Sequence, residues 1–475
     1  MQMRGTILQP WNWHTPRLDS EGKTLWKRLM RDAEKIRKSG YTAVWLPPAS
    51  KASGGTGDVG YAIKDWYDLD GTRYGDAVSL KAACQALRQA NLQVYHDQVH
   101  NHLIGGEDEE DILCLHVKKN NKNEPFRPDS QWFRCTIPTR FPWLGLDHSH
   151  FDAYHPNGHD CWVLRGKRFD CEAHQDPWGG CDLDFDSMDV VSKLEAFGNW
   201  YRSEVHVDGY RFDAVKHIRP MGTLGFLTTM RQSAGANIFA VGEFLHEDIR
   251  VLHKYITATQ GQISLFDVPL QRKLVRASLQ GRAFDISTLL TGTLTKDQPT
   301  LAVPYVHSHD DQPPIHGMEH LGHYVGDWFI SQAYALILLR DKGYPLVADT
   351  DTLRHPDMVR RYMRLRQHCT FGHREDRFDH PNTVGWSFSG GHGFDNSMAV
   401  VMTNGDHGRK WLPTGRPHTC YRDFTDALGY SVTTNEDGWA EFECPAGGTS
   451  AWVEETKYRW LKSRDYETEP HLPGA

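Results

Sequence analysis

Residues 207–218, VDGYRFDAVKHI, have the composition of a buried strand but place an Arg and an Asp two residues apart within it. Apart from Asp208 and the pair Arg211 and Asp213, the first nine residues are apolar, aromatic or Gly. Strands covered on both faces read as such near-continuous apolar runs, and a charge inside one is costly unless it is paired. Arg211 and Asp213 therefore need a functional explanation, which depends on the fold around them.

This stretch is one of eight short β-rich runs that alternate with helical patterns between residue 4 and about residue 350. The helical patterns, such as TLWKRLMRDAEKIRKSG, place apolar residues at helical spacing. Eight such alternations favour a (β/α)8 TIM barrel over an open doubly wound sheet, and no GxGxxG or GxxxxGK[ST] motif follows a strand. The eight runs are GTILQPWNW, YTAVWLPPAS, LQVYHDQVHNH, VDGYRFDAV, IFAVGEF, QISLFDVP, LAVPYVHSHD and YPLVAD.

Two segments interrupt this alternation. Residues 103–186, after the third strand, are rich in His, Asp, Trp and Pro and are too long for a plain loop. From residue 373 onward, short alternating runs between Gly-rich turns indicate a small all-β domain. The predicted fold is α/β: a barrel of residues 1–102 and 187–372, an irregular β-rich insert of residues 103–186, and a C-terminal β-sandwich of residues 373–475.

Composition excludes several classes of protein. Of the 475 residues, 39% are hydrophobic and 24% are charged, with 16 Trp, as in a folded protein with flat apolar surfaces. The formal charge of -8 disfavours nucleic-acid binding, and no apolar run reaches the roughly 18 residues of a membrane span. Nine scattered Cys without a CxxC pair, and no signal-peptide pattern, predict reduced thiols in the cytoplasm. We expect a monomer.

Polar residues cluster at the ends of four of the predicted strands. In a TIM barrel, residues at the carboxyl ends of the strands form the active site. Taken singly, each of these residues suits an ordinary turn, cap or core position, but three carboxylates on separate strands of one barrel converge on a single mouth. The four strand ends carry Asp97 with Asn101 and His102, Arg211 with Asp213, Glu243, and His309 with Asp310.

Such a trio of carboxylates suits glycoside hydrolysis. A retaining enzyme needs an ionised nucleophile and a protonated general acid about 5 Å apart. Asp213 suits the nucleophile because the adjacent guanidinium of Arg211 favours an ionised carboxylate. Glu243, in the apolar stretch FAVGEF, suits the acid because desolvation favours the protonated form. Asp310 can bind sugar hydroxyls and stabilise positive charge on the ring.

Four motifs in order make the sequence similar to a known family. DQVHNH, GYRFDAVKH, VGEF and VHSHDDQP resemble the motifs of strands three, four, five and seven in the α-amylase family, glycoside hydrolase family thirteen. The stretches DVGYAIKDWYDL, CDLDFDSMDVV and RFDHPNTVGW are most similar to bacterial liquefying-type α-amylases and their intracellular relatives.

The resemblance implies an enzyme that hydrolyses internal α-1,4 bonds of starch, glycogen or maltodextrins with retention. Asp213 would be the nucleophile, Glu243 the acid/base and Asp310 the transition-state stabiliser. The alternatives are a transglycosylase or isomerase of the same family, or a non-catalytic glucan-binding protein. The implied sugar contacts are Tyr61 by stacking, His102, Arg211, Lys216, His217 and His309.

The resemblance also implies a calcium ion bound by oxygen ligands. Its ligands would be Asn101, Asp176, Asp182 and the backbone carbonyl of His217, although a solvated acidic loop is the alternative for DPWGGCDLDFDS. Further metals, bound by Asp170, Asp184 and Asp186, are disfavoured because His155 stands where such relatives have another Asp.

Two departures from the family pattern affect specificity. The residues before His309 and Asp310 are usually Asp-Asn, and here they are His307 and Ser308. The end of strand eight, usually a Tyr-Gly-Asp stretch, reads VADTDTLRH. Both are expected near the cleft, so the resemblance leaves the preferred substrate length and the level of activity open.

Overall fold

A computed structural model describes residues 5–106, 108–118, 121–156, 160–167, 180–311, 323–391 and 397–463. Its centre is a sheet of eight parallel strands in the order β7-β6-β5-β4-β3-β2-β1-β8, and a parallel bridge between Tyr305 and Leu346 nearly closes it. The predicted barrel is confirmed, with all eight strands in the expected runs. The strands are β1 (Ile7–Gln9), β2 (Ala43–Leu46), β3 (Gln93–Gln98), β4 (Gly209–Phe212), β5 (Phe239–Gly242), β6 (Ser264–Phe266), β7 (Ala302–Val303) and β8 (Leu346–Ala348).

Helices with one apolar face alternate with these strands. In the first helix, Leu25, Leu29 and Ile36 are buried, and the turn after it uses Gly40 at a φ of +100°, where a side chain would be strained. Within the described ranges, no helix combines the length and apolar character that crossing a bilayer requires. The helices are α1 (Leu25–Lys38), α2 (Ala77–Gln89), α3 (Met188–Glu204), α4 (Pro220–Ala234), α5 (Ile249–Ala258), α6 (Val268–Gln280), α7 (Leu294–Asp297), α8 (Ile330–Leu338), α9 (Asp349–Arg354), α10 (Pro356–Cys369) and α11 (Glu455–Ser463).

The insert after β3 is β-rich, as predicted. It forms a seven-stranded sheet whose first strand already includes His102, so the predicted boundary at residue 102 falls inside a strand. A separate two-stranded ribbon, Lys51–Ala52 with Ile63–Asp65, follows β2. The strands of the insert are His102–Leu103, Asp108–Lys118, Asn121–Pro125, Phe133–Arg140, Phe151–His155, Cys161–Leu164 and Gly180–Leu183.

The C-terminal part is all-β, as predicted, apart from α11 after its last strand. A six-stranded sheet packs with a two-stranded antiparallel ribbon, Gly408–Pro413 with Trp439–Cys444, around Leu412, Phe442 and Trp452. The division of the chain into three domains at residues 102, 186 and 372 stays a prediction. The six strands are Arg374–Arg377, Thr383–Phe388, Met398–Thr403, Cys420–Asp423, Ser431–Thr433 and Thr449–Glu454.

Candidate active site

The register of three neighbouring strands brings the charged residues together. Arg211 on β4 pairs with Asp97 on β3. The ladder continues past the strand ends, because the Asp213 N–H donates to the Gln98 carbonyl at 3.0 Å and the Glu243 N–H donates to the Phe212 carbonyl at 2.9 Å. Asp213 and Glu243 therefore lie side by side at the carboxyl end of the barrel.

A single buried guanidinium binds all three of these carboxylates. Nη1 of Arg211 lies 2.6 Å from Oδ1 of Asp213 and 2.9 Å from Oδ1 of Asp97. Nη2 of the same side chain lies 3.1 Å from Oε2 of Glu243. Only 2% of Arg211 is exposed to solvent. One positive charge thus faces three potential negative charges in a dry environment, which favours a bound proton on one of them.

Glu243 holds that proton around neutral pH. Burial raises the pKa of Glu243 to about 8, although the Arg211 guanidinium opposes the shift. Burial likewise raises the pKa of Asp97 to about 7. Asp97, however, also accepts hydrogen bonds from Tyr61 Oη at 2.8 Å and Trp45 Nε1 at 3.1 Å, and these donors favour the ionised carboxylate.

The Glu243 carboxylate is positioned by the turn that follows Asp213. Ala214 adopts a left-handed conformation with φ +49°, which is uncommon for a residue other than Gly. Its N–H donates to Oε2 of Glu243 at 3.0 Å. Gly242 lets this turn approach β5, since a Cβ at Gly242 would lie 3.0 Å from a methyl carbon of Val215. Strained backbone of this kind is typical of functional sites.

Asp310 follows β7, and its side chain is partly open to solvent. Trp13 donates its indole N–H to Oδ1 of Asp310 at 3.1 Å, and Nε2 of His309 lies 3.4 Å from Oδ2. Because Gln9 donates from Nε2 to Nδ1 of His309 at 3.0 Å, the imidazole proton is on Nε2 and faces Asp310. Burial holds the pKa of His309 well below its ordinary value, so the ring is neutral.

Aromatic rings form one wall beside the carboxylates. The Tyr61 ring is parallel to the His309 ring within 6°, with centroids 5.3 Å apart, and Trp13 lies 5.6 Å from Tyr61. His102 is buried and its Nε2 lies 2.9 Å from the Tyr61 carbonyl, which braces Tyr61. Such a wall suits stacking against the C–H face of a sugar.

Lys216 and His217 lie on the single 3-10 turn, Val215–His217, that follows Asp213. His217 is buried there, whereas Lys216 is partly exposed. The structure thus brings Tyr61, Arg211, Asp213, Glu243, His309 and Asp310 together at one mouth, with His102 behind Tyr61.

Comparison with known proteins assigns the family. The sequence profile described as the catalytic domain of alpha-amylase matches residues 29–312. The chain belongs to the α-amylase family. It is therefore a glycoside hydrolase, and the resemblance seen in its strand motifs is confirmed.

Relatives in the α-amylase family match almost the whole chain. The α-amylase of Geobacillus stearothermophilus is 35% identical, over 94% of this chain and 87% of its own length. The cytoplasmic α-amylase of Escherichia coli strain K12 is 32% identical, over 94% of this chain and 98% of its own. The crystal structure of an α-amylase from Geobacillus thermoleovorans, complexed with acarbose, shares the fold with a TM-score of 0.66 at 18% identity, covering 95% of this chain and 98% of that chain.

The two departures from the α-amylase family pattern contact each other. Nδ1 of His307 lies 2.9 Å and 3.0 Å from the two carboxylate oxygens of Asp351. Asp351 belongs to VADTDTLRH, the stretch that stands at the end of strand eight in place of the usual Tyr-Gly-Asp. Nε2 of His307 accepts the Val325 N–H at 2.9 Å, and Tyr334 Oη donates to Asp351 at 2.6 Å. Both side chains of the pair are 2% exposed. Two residues of the departures, His307 and Asp351, are therefore in direct contact inside the barrel, and both side chains are buried.

Sequence reasoning left three residues of the site without a role. Asp97 was visible in DQVHNH at the end of β3, yet its partnership with Arg211 depends on the register of β3 and β4. Gln9 is the last residue of β1, and Trp13 follows that strand. Because residues at and after the strand ends form the site in this fold, both could have been predicted as site residues.

Two of the predicted calcium ligands lie together at the base of the insert. The Asn101 carbonyl accepts the Leu183 N–H at 2.9 Å, and Asp182 pairs with His102 in the sheet. Asn101 and Asp182 are buried, and their side chains supply the hard oxygen atoms that Ca²⁺ prefers. Asp176 lies outside the described residues. In the described ranges, no group of three or more His, Cys, Asp or Glu is arranged to hold a metal.

Asp184 and Asp186, two of the acidic residues that could have supplied the disfavoured further metal site, are paired with cations of the chain itself. Lys167 Nζ lies 2.6 Å from Oδ2 of Asp184, and Arg219 Nη1 lies 2.5 Å from Oδ1 of Asp186. These ion pairs, together with His155, do not fit a cluster of additional metal ions at Asp184 and Asp186. Asp170, the third of these residues, lies outside the described residues.

Proposed function

We propose that this enzyme is an α-amylase that cleaves internal α-1,4-glucosidic bonds of starch, glycogen or maltodextrins with retention of anomeric configuration. The observation that carries the proposal is the binding of Asp213 and Glu243 to different nitrogen atoms of one guanidinium. Both carboxylates then face one sugar position at close range, as the roughly 5 Å spacing of a retaining enzyme requires.

Asp213 is the nucleophile of the first step. Its carboxylate oxygen bonds to the anomeric carbon while the bond to the leaving glycosidic oxygen breaks, and Glu243 gives its proton to that oxygen. The products of this step are a shortened glucan with a free hydroxyl and a covalent glycosyl–Asp213 ester. Asp310 and the neutral His309 bind hydroxyls of the sugar and stabilise its positive charge.

Glu243 is the base of the second step. Formation of the ester removes the negative charge of Asp213, which is one of the groups that raise the pKa of Glu243. Glu243 is then ionised more easily and accepts a proton from water, whose oxygen displaces Asp213. Two inversions give net retention. If a sugar hydroxyl replaces water, the same residues carry out transglycosylation, which is the alternative within the family.

Substrate binding relies on the aromatic wall and on polar groups around it. Tyr61 stacks against the sugar in the centre of the site, and His102, Arg211, Lys216, His217 and His309 contact its hydroxyls or support groups that do. The stacked rings of Tyr61 and His309 support this assignment.

We also propose one structural calcium ion, held by Asn101, Asp176, Asp182 and the His217 carbonyl. Bound Ca²⁺ would neutralise the carboxylates and join the insert to the turn after Asp213. The adjacent, buried oxygen donors Asn101 and Asp182 support it.

We propose that the enzyme is located in the cytoplasm. One relative over nearly the full length is the cytoplasmic α-amylase of Escherichia coli, and the eight cysteines within the described residues form no disulfide. A monomer stays a prediction, to be checked by sedimentation.

The direct test is incubation with soluble starch, followed by chromatography of the sugars. The proposal predicts a rapid fall in chain length and a series of maltooligosaccharides. Longer or cyclic products from maltoheptaose would favour the transglycosylase, and binding of starch without any product would favour a non-catalytic glucan-binding protein.

A further inference from the structure

Two cysteines lie side by side in the sheet of the insert. Cys114 is in the strand Asp108–Lys118, and Cys135 is in the neighbouring antiparallel strand, Phe133–Arg140. Cys135 pairs with Ile112, two residues before Cys114, so the two cysteines are diagonal neighbours on one face of the sheet. Because diagonal neighbours on one face are within reach of each other's side chains, the strand register alone places the two thiols together.

The two thiols are in contact and differ in their access to solvent. Sγ of Cys135 lies 2.9 Å from Sγ of Cys114, and both cysteines are free. Cys114 is fully buried, whereas Cys135 is partly exposed. Burial raises the pKa of the Cys114 thiol, so Cys114 stays protonated at neutral pH and is a poor nucleophile. Cys135 is therefore the thiol that a reagent from solvent reaches first.

The strand that carries Cys135 is held by the sheet on one side only. Within the part of the insert that the structure describes, Phe133–Arg140 pairs with Asp108–Lys118 alone. Just beyond the end of this strand, Trp143 donates its indole N–H to the Lys64 carbonyl at 3.1 Å, and Lys64 belongs to the ribbon that follows β2. A covalent bond across the strand pair would therefore fix an edge strand and, through it, a contact between the insert and the barrel.

We propose that Cys114 and Cys135 are a site of reversible oxidation, and that the disulfide they form stabilises the insert under oxidising conditions. The oxidant is a small disulfide such as oxidised glutathione. The thiolate of Cys135 attacks one sulfur of this reagent, forms a mixed disulfide and releases one glutathione thiol. Cys114 then loses its proton and attacks Sγ of Cys135, which completes the bond and releases the second glutathione thiol. Two protein thiols are thus oxidised while one glutathione disulfide is reduced to two thiols. In the proposed cytoplasmic location, such a disulfide is transient and responds to the redox state.

Cys135→Ser tests this bond, because serine nearly keeps the size of the side chain and cannot form a disulfide. Cys420→Ser is the matched control, since Cys420 is also partly exposed but lies in the C-terminal sheet. The folded parent and both variants are incubated with reduced or with oxidised glutathione, and the remaining thiols are then counted by alkylation in denaturant. After digestion with trypsin, the bond would join the peptide of residues 135–140 to that of residues 89–118.

In oxidised glutathione, we expect the parent and Cys420→Ser to lose two thiols and to give the linked peptides, and dithiothreitol should restore both thiols. The melting temperature of these two proteins should rise by about 3 °C on oxidation, because the bond closes a loop between residues that are 21 positions apart. Cys135→Ser should show neither the linked peptides nor the rise. Cys114→Ala, which removes the other thiol, should behave in the same way.

Retention of all nine thiols by the parent in excess oxidised glutathione would overturn the site. A stable glutathione adduct on Cys135 beside a free Cys114 would overturn the bond between them. A disulfide from either residue to Cys171, which lies outside the described residues, would overturn it as well. Linked peptides without a rise in melting temperature would overturn the stabilising role.

Discussion

The buried guanidinium of Arg211 binds three carboxylates. Its Nη1 contacts Asp97 and Asp213, and its Nη2 contacts Glu243. The arrangement separates their roles, because Arg211 donates to Asp97 and Asp213 while burial raises the pKa of Glu243 to about 8. Glu243 and Asp213, at neighbouring strand ends, can therefore take different roles, as acid and as nucleophile, because their surroundings differ.

Asp213→Asn and Glu243→Gln should each lower the hydrolysis of soluble starch by at least about 10²–10⁴-fold while the fold remains intact. Each substitution keeps the shape of the side chain and removes its acid–base or nucleophilic function. Glu247→Gln is the matched control, since Glu247 is exposed and pairs with Arg276. Initial rates and circular dichroism check this; a variant that retained more than about a tenth of the activity would remove that residue from its role.

Glu243 should also make stability depend on pH. Its pKa rises from 4.5 to about 8 on folding, so between these values the unfolded chain loses a proton that the folded chain keeps. Stability from this group is therefore lost as pH rises from about 4.5 to 8. We expect the urea midpoint of Glu243→Gln, relative to wild type, to increase between pH 5 and pH 8.5. A difference that does not change with pH would show that Glu243 is not protonated in the folded enzyme.

Among the elements, the strands at the base of the insert connect it to the barrel. His102–Leu103 leaves β3 and pairs with Gly180–Leu183, so Asn101 and Asp182 meet where the two parts join. A calcium ion shared with the His217 carbonyl would tie the insert to the turn that follows the nucleophile.

Chelation of calcium should lower the melting temperature by several degrees, since a ligand at a hundred times its dissociation constant stabilises the folded state by about 2.7 kcal/mol. Asp182→Ala should abolish this dependence. Asp184→Asn should keep it, because Asp184 pairs with Lys167. Thermal unfolding with EDTA and with added calcium measures the effect. An identical melting curve in both conditions, with no metal in the purified protein, would rule out the ion.

The His307–Asp351 pair connects the ends of β7 and β8. His307→Asp restores the residue usual in the family but would place two buried carboxylates against each other. The new carboxylate could not donate the hydrogen bond that His307 Nδ1 gives to Asp351, and two buried acceptors would face each other, so the melting temperature should fall by several degrees. Adding Asp351→Asn to this variant should restore most of the lost stability, because the amide introduced there can donate a hydrogen bond to the new carboxylate. Equal stability of His307→Asp and wild type would show that the pair is not coupled.

For the whole molecule, the sequence predicts the barrel, the insert, the C-terminal sheets and the three carboxylates, because each depends on local pattern and strand order. The side-chain partners could not be predicted in this way. The contact of Arg211 with Asp97 depends on strand register, and that of His307 with Asp351 depends on how the barrel closes. Helix α11 was missed in a region of short alternating strands, where its nine residues carry little apolar pattern.

The configuration of the first product tests the proposed mechanism most directly. Proton NMR of maltoheptaose during the first minutes of hydrolysis, before mutarotation, distinguishes the α-anomer from the β-anomer at the new reducing end. Double displacement at Asp213 predicts that the α-anomer appears first and the β-anomer only later. Initial release of the β-anomer would contradict it, because it requires a single displacement by water and carboxylates about 6.5 Å or more apart.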